Sequence, residues 1–182
     1  RRSVSVEDST RVITAYAADY WPDQDSVIAY GVVRARMEGG SVDADTLLYS
    51  GRSGNMWASG NVKLVDDAEG ITIRAQQYQW RQADSLALVS GHPLLTKGEG
   101  ESTVTVRAEF MQYDQGNDVA VAWDSVRIRR GGLYAVCDSV IYNSTEEQLV
   151  LYGSPRARQR TWNDTTTTVS ETTGARMDLD LD

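Results

Sequence analysis

Read for polarity alone, the chain is a succession of short alternating runs. In "SVDADTLLYS" (41–50) the apolar Val42 and Ala44 share one face of a strand. The next apolar positions, Leu47 and Tyr49, fall an odd step away, which period two forbids unless the strand bends or bulges. A polar turn, "SGRSGN", follows, and then "MWASGNVKLV" puts Ala58, Gly60, Val62 and Leu64 on one face. No segment sustains an apolar 3.6-residue period, so the pattern predicts almost no helix.

The same arrangement returns along the chain. Taking Ala15, Ala44, Ala75, Ala108 and Cys137 as anchors, 29 to 33 residues apart, an aromatic stands five positions on: Tyr20, Tyr49, Trp80, Tyr113 and Tyr142. Sixteen positions on come Gly31, Gly60, Gly91, Asp124 and Gly153, and two further Val33, Val62, Pro93, Val126 and Pro155. Ile13, Val42, Ile73 and Val106 precede their anchors by two, on the same strand face. A sixth, incomplete copy begins at Gly174. Each copy reads as a bent strand, a turn, a second strand and a turn. Such a unit buries its apolar face only against its neighbours, so it stacks. Two strands per copy predict about eleven strands in two facing antiparallel sheets, with open edges at both ends. Pro93 and Pro155 mark one place where no ladder N–H is needed, as at a bend.

The recurring V-x-A-D-x-x-x-Y … A-S-G-N-V-K-L, fullest in "SVDADTLLYSGRSGNMWASGNVKLVD" (41–66), resembles the OstA-like domain. The similarity spans roughly residues 12–182, with departures at Tyr16, Gln76, Glu109 and Asp124. That resemblance implies an all-β, repetitive periplasmic β-jellyroll of the lipopolysaccharide-transport machinery. Residues 1–182 then form a single such domain of a longer chain, as a bridge protein, an anchored component or the N-terminal domain of a translocon. The partners it implies are the acyl chains of lipid A and other jellyrolls, joined by edge-strand addition, with the membrane met only indirectly. Sheltering one 12-carbon chain takes about 10 kcal/mol at ~0.8 kcal/mol per CH₂, and near-identical rungs would let it slide without deep wells.

The groove candidates are the anchors Ala15, Ala44, Ala75 and Ala108; Ile13, Val42, Ile73 and Val106 before them; and the aromatics Tyr49, Trp80, Tyr113 and Tyr142. From the second strands come Ala58, Val89, Ala122 and Leu151, then Val33, Val62 and Val126, then Leu64 and Ile128. Two readings of this row stand side by side: an open lipid groove, or a packed core like that of any sandwich. In Val27–Ala29, Met56–Ala58 and Leu149–Leu151 every position is apolar, so the pattern leaves open which residues point inward.

Composition narrows the rest. A net charge of −8 disfavours nucleic acid as a partner. No apolar run reaches the length of a membrane helix. The single cysteine excludes an intrachain disulfide, and Cys137 at an anchor reads as a small buried thiol. Bases recur nineteen positions past the anchors (Arg34, Lys63, Arg127, Arg156), and acids one past them (Asp45, Glu109, Asp138). The expectation is two outer ladders that pair across rungs, or a basic row that meets lipid phosphates or an acidic edge. His92, the only histidine, reads as a surface residue, and "RQRTWNDTTTTVSETT" (158–173) as an extended loop. Carboxylates spread one per rung build no acid–base pair, and neither a phosphate loop nor a set of metal ligands is present, so no cofactor is expected. The competing functions are a structural solenoid or adhesin-type stalk with a dry core, and a carbohydrate-active β-helix enzyme.

Overall fold

Alternation that slips phase at a fixed place in every copy should bend every strand there, and the computed structural model shows that bend. It describes residues 4–7, 11–143, 145–146, 148–162 and 167–180. The strands are β1 (Val4–Glu7), β2 (Arg11–Ala15), β3 (Ala17–Trp21), β4 (Ser26–Met37), β5 (Gly40–Ser50), β6 (Met56–Asp66), β7 (Ile71–Arg81), β8 (Leu86–Ser90) and β9 (Leu94–Lys97). They continue as β10 (Val104–Arg107), β11 (Phe110–Asp114), β12 (Val119–Arg130), β13 (Leu133–Asn143), β14 (Gln148–Tyr152), β15 (Arg156–Trp162), β16 (Thr167–Thr173) and β17 (Arg176–Asp180). Among the described residues the only helical ones form two three-residue 3₁₀ turns, and no helix is long and apolar enough to cross a membrane.

All pairing is antiparallel and links the 17 strands into one continuous sheet. In the long strands the register breaks at the bend: between Tyr30 and Val33, Asp43 and Thr46, Ser59 and Val62, and Trp123 and Val126. The two sides of the bend pair separately. Sheet I runs β3, β4, β5, β6, β7, β8, β11, β12, β13, β14, β17 through Ser26–Tyr30, Thr46–Ser50 and their equivalents. Sheet II runs β1, β2, β4, β5, β6, β7, β9, β10, β12, β13, β15, β16 through Val33–Met37, Gly40–Asp43 and theirs. The result is an all-β, repetitive antiparallel jellyroll, a V in cross-section that extends along the stack of strands.

The expected count of about eleven describes passes of the chain across the V, while the strands among the described residues number 17. Pro93 and Pro155, both with fully buried side chains, sit between β8 and β9 and between β14 and β15. With no N–H to donate, each cuts one pass into two strands at the bend. The expected loop over 158–173 is corrected: β15 and β16 pair from Arg156 opposite Thr173 to Trp162 opposite Thr167, and residues 163–166 lie outside the described residues. A threonine-rich run looks loop-like by composition, yet β-branched threonine suits an edge strand.

The bend has one backbone solution in all five descending passes. Gly31 and Val32, Gly60 and Asn61, Gly91 and His92, Asp124 and Ser125, and Gly153 and Ser154 all have positive φ, between 49° and 79°. Two successive left-handed residues reverse the pleat, and the first falls where glycine recurs. Opposite this corner lies the residue one past each anchor: a Cβ built on Gly60 would strike Asp45, and one on Gly153 would strike Asp138.

Candidate functional site

Between the sheets the residue rows run the length of the stack. Near the corner, sheet II contributes Val33 opposite Ala44, Val62 opposite Ala75 and Val126 opposite Cys137. Sheet I contributes Ala18, Ala29, Leu47, Ala58, Tyr78, Val89, Met111, Ala122, Val140, Leu151 and Met177 as one continuous cross-strand row. The aromatics form the next row outward, alternating with aliphatics: Tyr20, Val27, Tyr49, Met56, Trp80, Ala87, Tyr113, Ala120, Tyr142, Leu149. Every residue expected to line the interior lies on an inward row. Ile13, Ala15, Val33, Val42, Ala44, Ala58, Val62, Ala75, Val89, Ala108, Ala122, Val126, Ile128 and Leu151 are buried. Tyr49, Leu64, Ile73, Trp80, Val106 and Tyr142 are half-buried, and Tyr113 is exposed at the rim.

These side chains gather in two apolar clusters drawn from both sheets, one over the N-terminal rungs and one over the C-terminal rungs. No polar or charged side chain is buried among the described residues. Within sheet I the fully buried Leu47 is flanked in register by the small Ala29 and Ala58, so a large side chain alternates with small ones along the row. Burial raises the Cys137 thiol to about 11 and the Tyr78 phenol to about 12.

At the C-terminal end an opening of about 400 Å³ is lined by Leu133, Ala157, Gln159, Ser170 and Thr172 of sheet II and by Met177 and Asp178 of sheet I. At the N-terminal end Tyr20 stands on the inward row yet is 55% exposed. Among the described residues β1 pairs only with β2, β3 only with β4, β16 only with β15 and β17 only with β14. Among the described residues each sheet therefore ends, on either side, in a strand paired along one edge only.

The mouth of the V has its own chemistry. Counted two steps further from the anchors, period two brings Arg11, Lys97 and Arg130 to the inward rim of sheet II, facing the aromatic row. Arg11 lies 4.7 Å from the centre of the Tyr49 ring, a cation–π contact that joins the sheets. Lys97 donates to Glu69 at 2.8 Å, and that hydrogen bond, with Tyr142 and Asp66 nearby, raises its pKa. Tyr113 is pushed up to about 12 by burial and by its 2.9 Å hydrogen bond to Asp118. Arg11 lies four residues before its anchor and Lys97 and Arg130 lie 22 past theirs, each one alternation beyond the repeated positions; the signal was the unbroken alternation Arg11–Ile13–Ala15, Leu95–Lys97 and Ile128–Arg130.

The outer surface settles the triplets the pattern left open. Val27 and Ala29, Met56 and Ala58, and Leu149 and Leu151 point inward, while Ile28, Trp57 and Val150 lie on the outer row of sheet I. Val150 is nevertheless buried, while Leu48, Trp57 and Leu88, with Thr46, Ser59, Gln77, Gln79 and Ser90, line a shallow depression of about 240 Å³ on that face. The two outer charge ladders do not pair as expected. The acids past the anchors turn to the corner instead: Asn61 donates to Asp45 at 2.8 Å, and Glu109 meets the His92 ring at 2.9 Å. Arg34 makes a bidentate pair with Asp43, at 2.6 and 2.7 Å, which lowers the Asp43 pKa. His92 is a surface residue, its side chain 79% exposed.

No family model and no curated protein matches the chain. Among solved structures it is similar to LptH, the LptA homologous periplasmic component of the lipopolysaccharide transport device of Pseudomonas aeruginosa. The identity is 9%, the TM-score 0.36, and the match covers 89% of this chain and 93% of that one. A likeness that loose adds nothing to the geometry above.

Proposed function

We propose that the chain is a non-enzymatic, lipid-conducting module of the periplasm that shelters lipopolysaccharide acyl chains between its sheets and passes them to a neighbouring jellyroll. One observation carries the reading: the apolar cluster of the C-terminal rungs continues through Ala157 and Met177, which line an opening at the C-terminal end. Met177, Ala157 and Leu133 stand at that opening, and among the described residues β1, β3, β16 and β17 each pair on one side only, which leaves an edge able to take another strand. The OstA-like motif in 41–66 supports the same cargo. Acyl chains enter by parting the sheets along the rim, where aromatics and bases meet across the mouth, and the left-handed corners keep the other edge joined.

A second reading keeps support from one fact. The side chains of the middle rungs are buried to the level of an ordinary core, as a dry structural stalk would require. Displacement of a fluorescent fatty-acyl probe by lipopolysaccharide separates the two. A conducting module binds the probe, releases it to lipopolysaccharide, and binds it more weakly once Met177→Glu puts a charge at the opening. A stalk binds neither.

A further inference from the structure

The outer face of sheet II concentrates positive charge on a protein whose net charge is −8. One cross-strand row runs Arg34, Asp43, Lys63, Arg74, Leu94, Arg107, Arg127, Val136, Arg156. The adjacent row adds Arg36, Arg129 and Arg158. These two rows hold nine of the chain's 18 basic residues, against the three acids Glu7, Asp43 and Glu171. Lys63 stands directly opposite Arg74, and Arg107 directly opposite Arg127, an arrangement that costs stability in a sheet. Among the described residues Lys63, Arg74, Arg107, Arg127 and Arg156 have no carboxylate within salt-bridge distance. At ~4.8 Å per strand the stripe from Arg34 to Arg156 is about 38 Å long, and it is only about 7 Å wide.

Acids frame it on both sides. Along the corner stand Asp45, Glu109 and Asp138, and along the turns Glu38, Asp67 and Glu99. A flat anionic surface pressed on this face would meet those acids within about one Debye length, ~8 Å at physiological salt. A slender chain laid along the stripe would avoid them. Nucleic acid is slender too, but binding of single strands relies on aromatic platforms. The stripe's one aromatic, Tyr134, lies against the Arg129 guanidinium, 5.4 Å from its ring centre.

From these features we infer that the outer face of sheet II is a binding track for a linear polyanionic glycan, a saccharide chain carrying phosphate, sulfate or carboxylate groups. The track lies on the opposite side of sheet II from the apolar interior and does not depend on what the interior carries. The bases supply separated, flexible charge, and release of counterions drives the association.

Size-fractionated dextran sulfate is the probe, measured by fluorescence anisotropy across a salt series with the whole chain. Neutral dextran, oligo-dT and phosphatidylglycerol vesicles run in parallel. Binding to dextran sulfate alone is expected. The double variant Lys63→Gln/Arg127→Gln should lower the slope of log affinity against log salt by about one and a half units. The equally charged control Arg52→Gln/Arg81→Gln, which leaves the stripe intact, should keep the slope. Circular dichroism verifies that each variant stays folded. Absence of dextran sulfate binding, an equal change in the control, or tighter binding to vesicles or oligo-dT would each overturn the assignment.

Discussion

Replacing Val32 with asparagine should stabilise the protein, although it removes a hydrophobic residue. Val32 is the second residue of the first descending corner, with φ 51°, and is 90% exposed, so its side chain contributes almost no burial there. A left-handed conformation costs an L-residue about 1–2 kcal/mol, and for a β-branched side chain it is a true outlier. Asparagine tolerates that region, and Asn61 already occupies the equivalent place one rung on, at φ 49°. The net gain is therefore about 1 kcal/mol, or about 2–4 °C in Tm for a domain of this size. The companion change Gly31→Ala runs the other way: it adds a Cβ at φ 70°, 3.2 Å from the Tyr16 Cβ, and should cost about 1–2 kcal/mol. Urea titration followed by tryptophan fluorescence reads both midpoints. A lowered or unchanged midpoint for Val32→Asn would refute the left-handed corner, and with it the explanation of why glycine recurs sixteen residues past each anchor.

Three further outcomes follow from the interior and its surface. Leu47→Ala should cost about 3–5 kcal/mol in the same titration, because its register neighbours Ala29 and Ala58 are too small to close the hole; a loss below 1 kcal/mol contradicts a packed middle. Cys137, held near 11 by burial, should react with a thiol reagent at pH 8 only at the rate of unfolding, whereas labelling as fast as a free thiol contradicts its inward position. Asp43 has a folded-state pKa below its ordinary value through the Arg34 hydrogen bonds, so its contribution is present at neutral pH and lost as pH falls through that lowered value. The difference in urea midpoint between the parent and Asp43→Asn should then shrink in acid, and a difference that persists there would contradict the pairing.

Much of the rung was legible because its physics repeats. Alternation placed Val42 and Ala44 on one face, the phase slip before Leu47 announced the bend, and five copies at fixed offsets forced a stack. The bases at Arg34, Lys63, Arg127 and Arg156 were seen as one outer row, but Arg74 and Arg107 were not joined to it. They precede their anchors instead of following them, and only antiparallel register brings the two sets into line. Middle residues such as Ile28, Trp57 and Val150 were illegible because the outer row of sheet I interleaves apolar residues with polar ones such as Asp19, Gln79 and Asp178, so hydrophobicity within one triplet carries no direction. The rungs are also not identical at their ends: Tyr20 and Met177 occupy inward positions that have a neighbouring rung on one side only.

Photocrosslinking along the interior tests the lipid path most directly. A photoreactive residue at Val62, which is 1% exposed on the inward row, is irradiated with lipopolysaccharide, beside the same residue at the outward neighbour Lys63. Conduction between the sheets predicts lipid adducts at Val62 and not at Lys63. Adducts at neither position, with the backbone amides of these rungs fully protected from exchange, would contradict it.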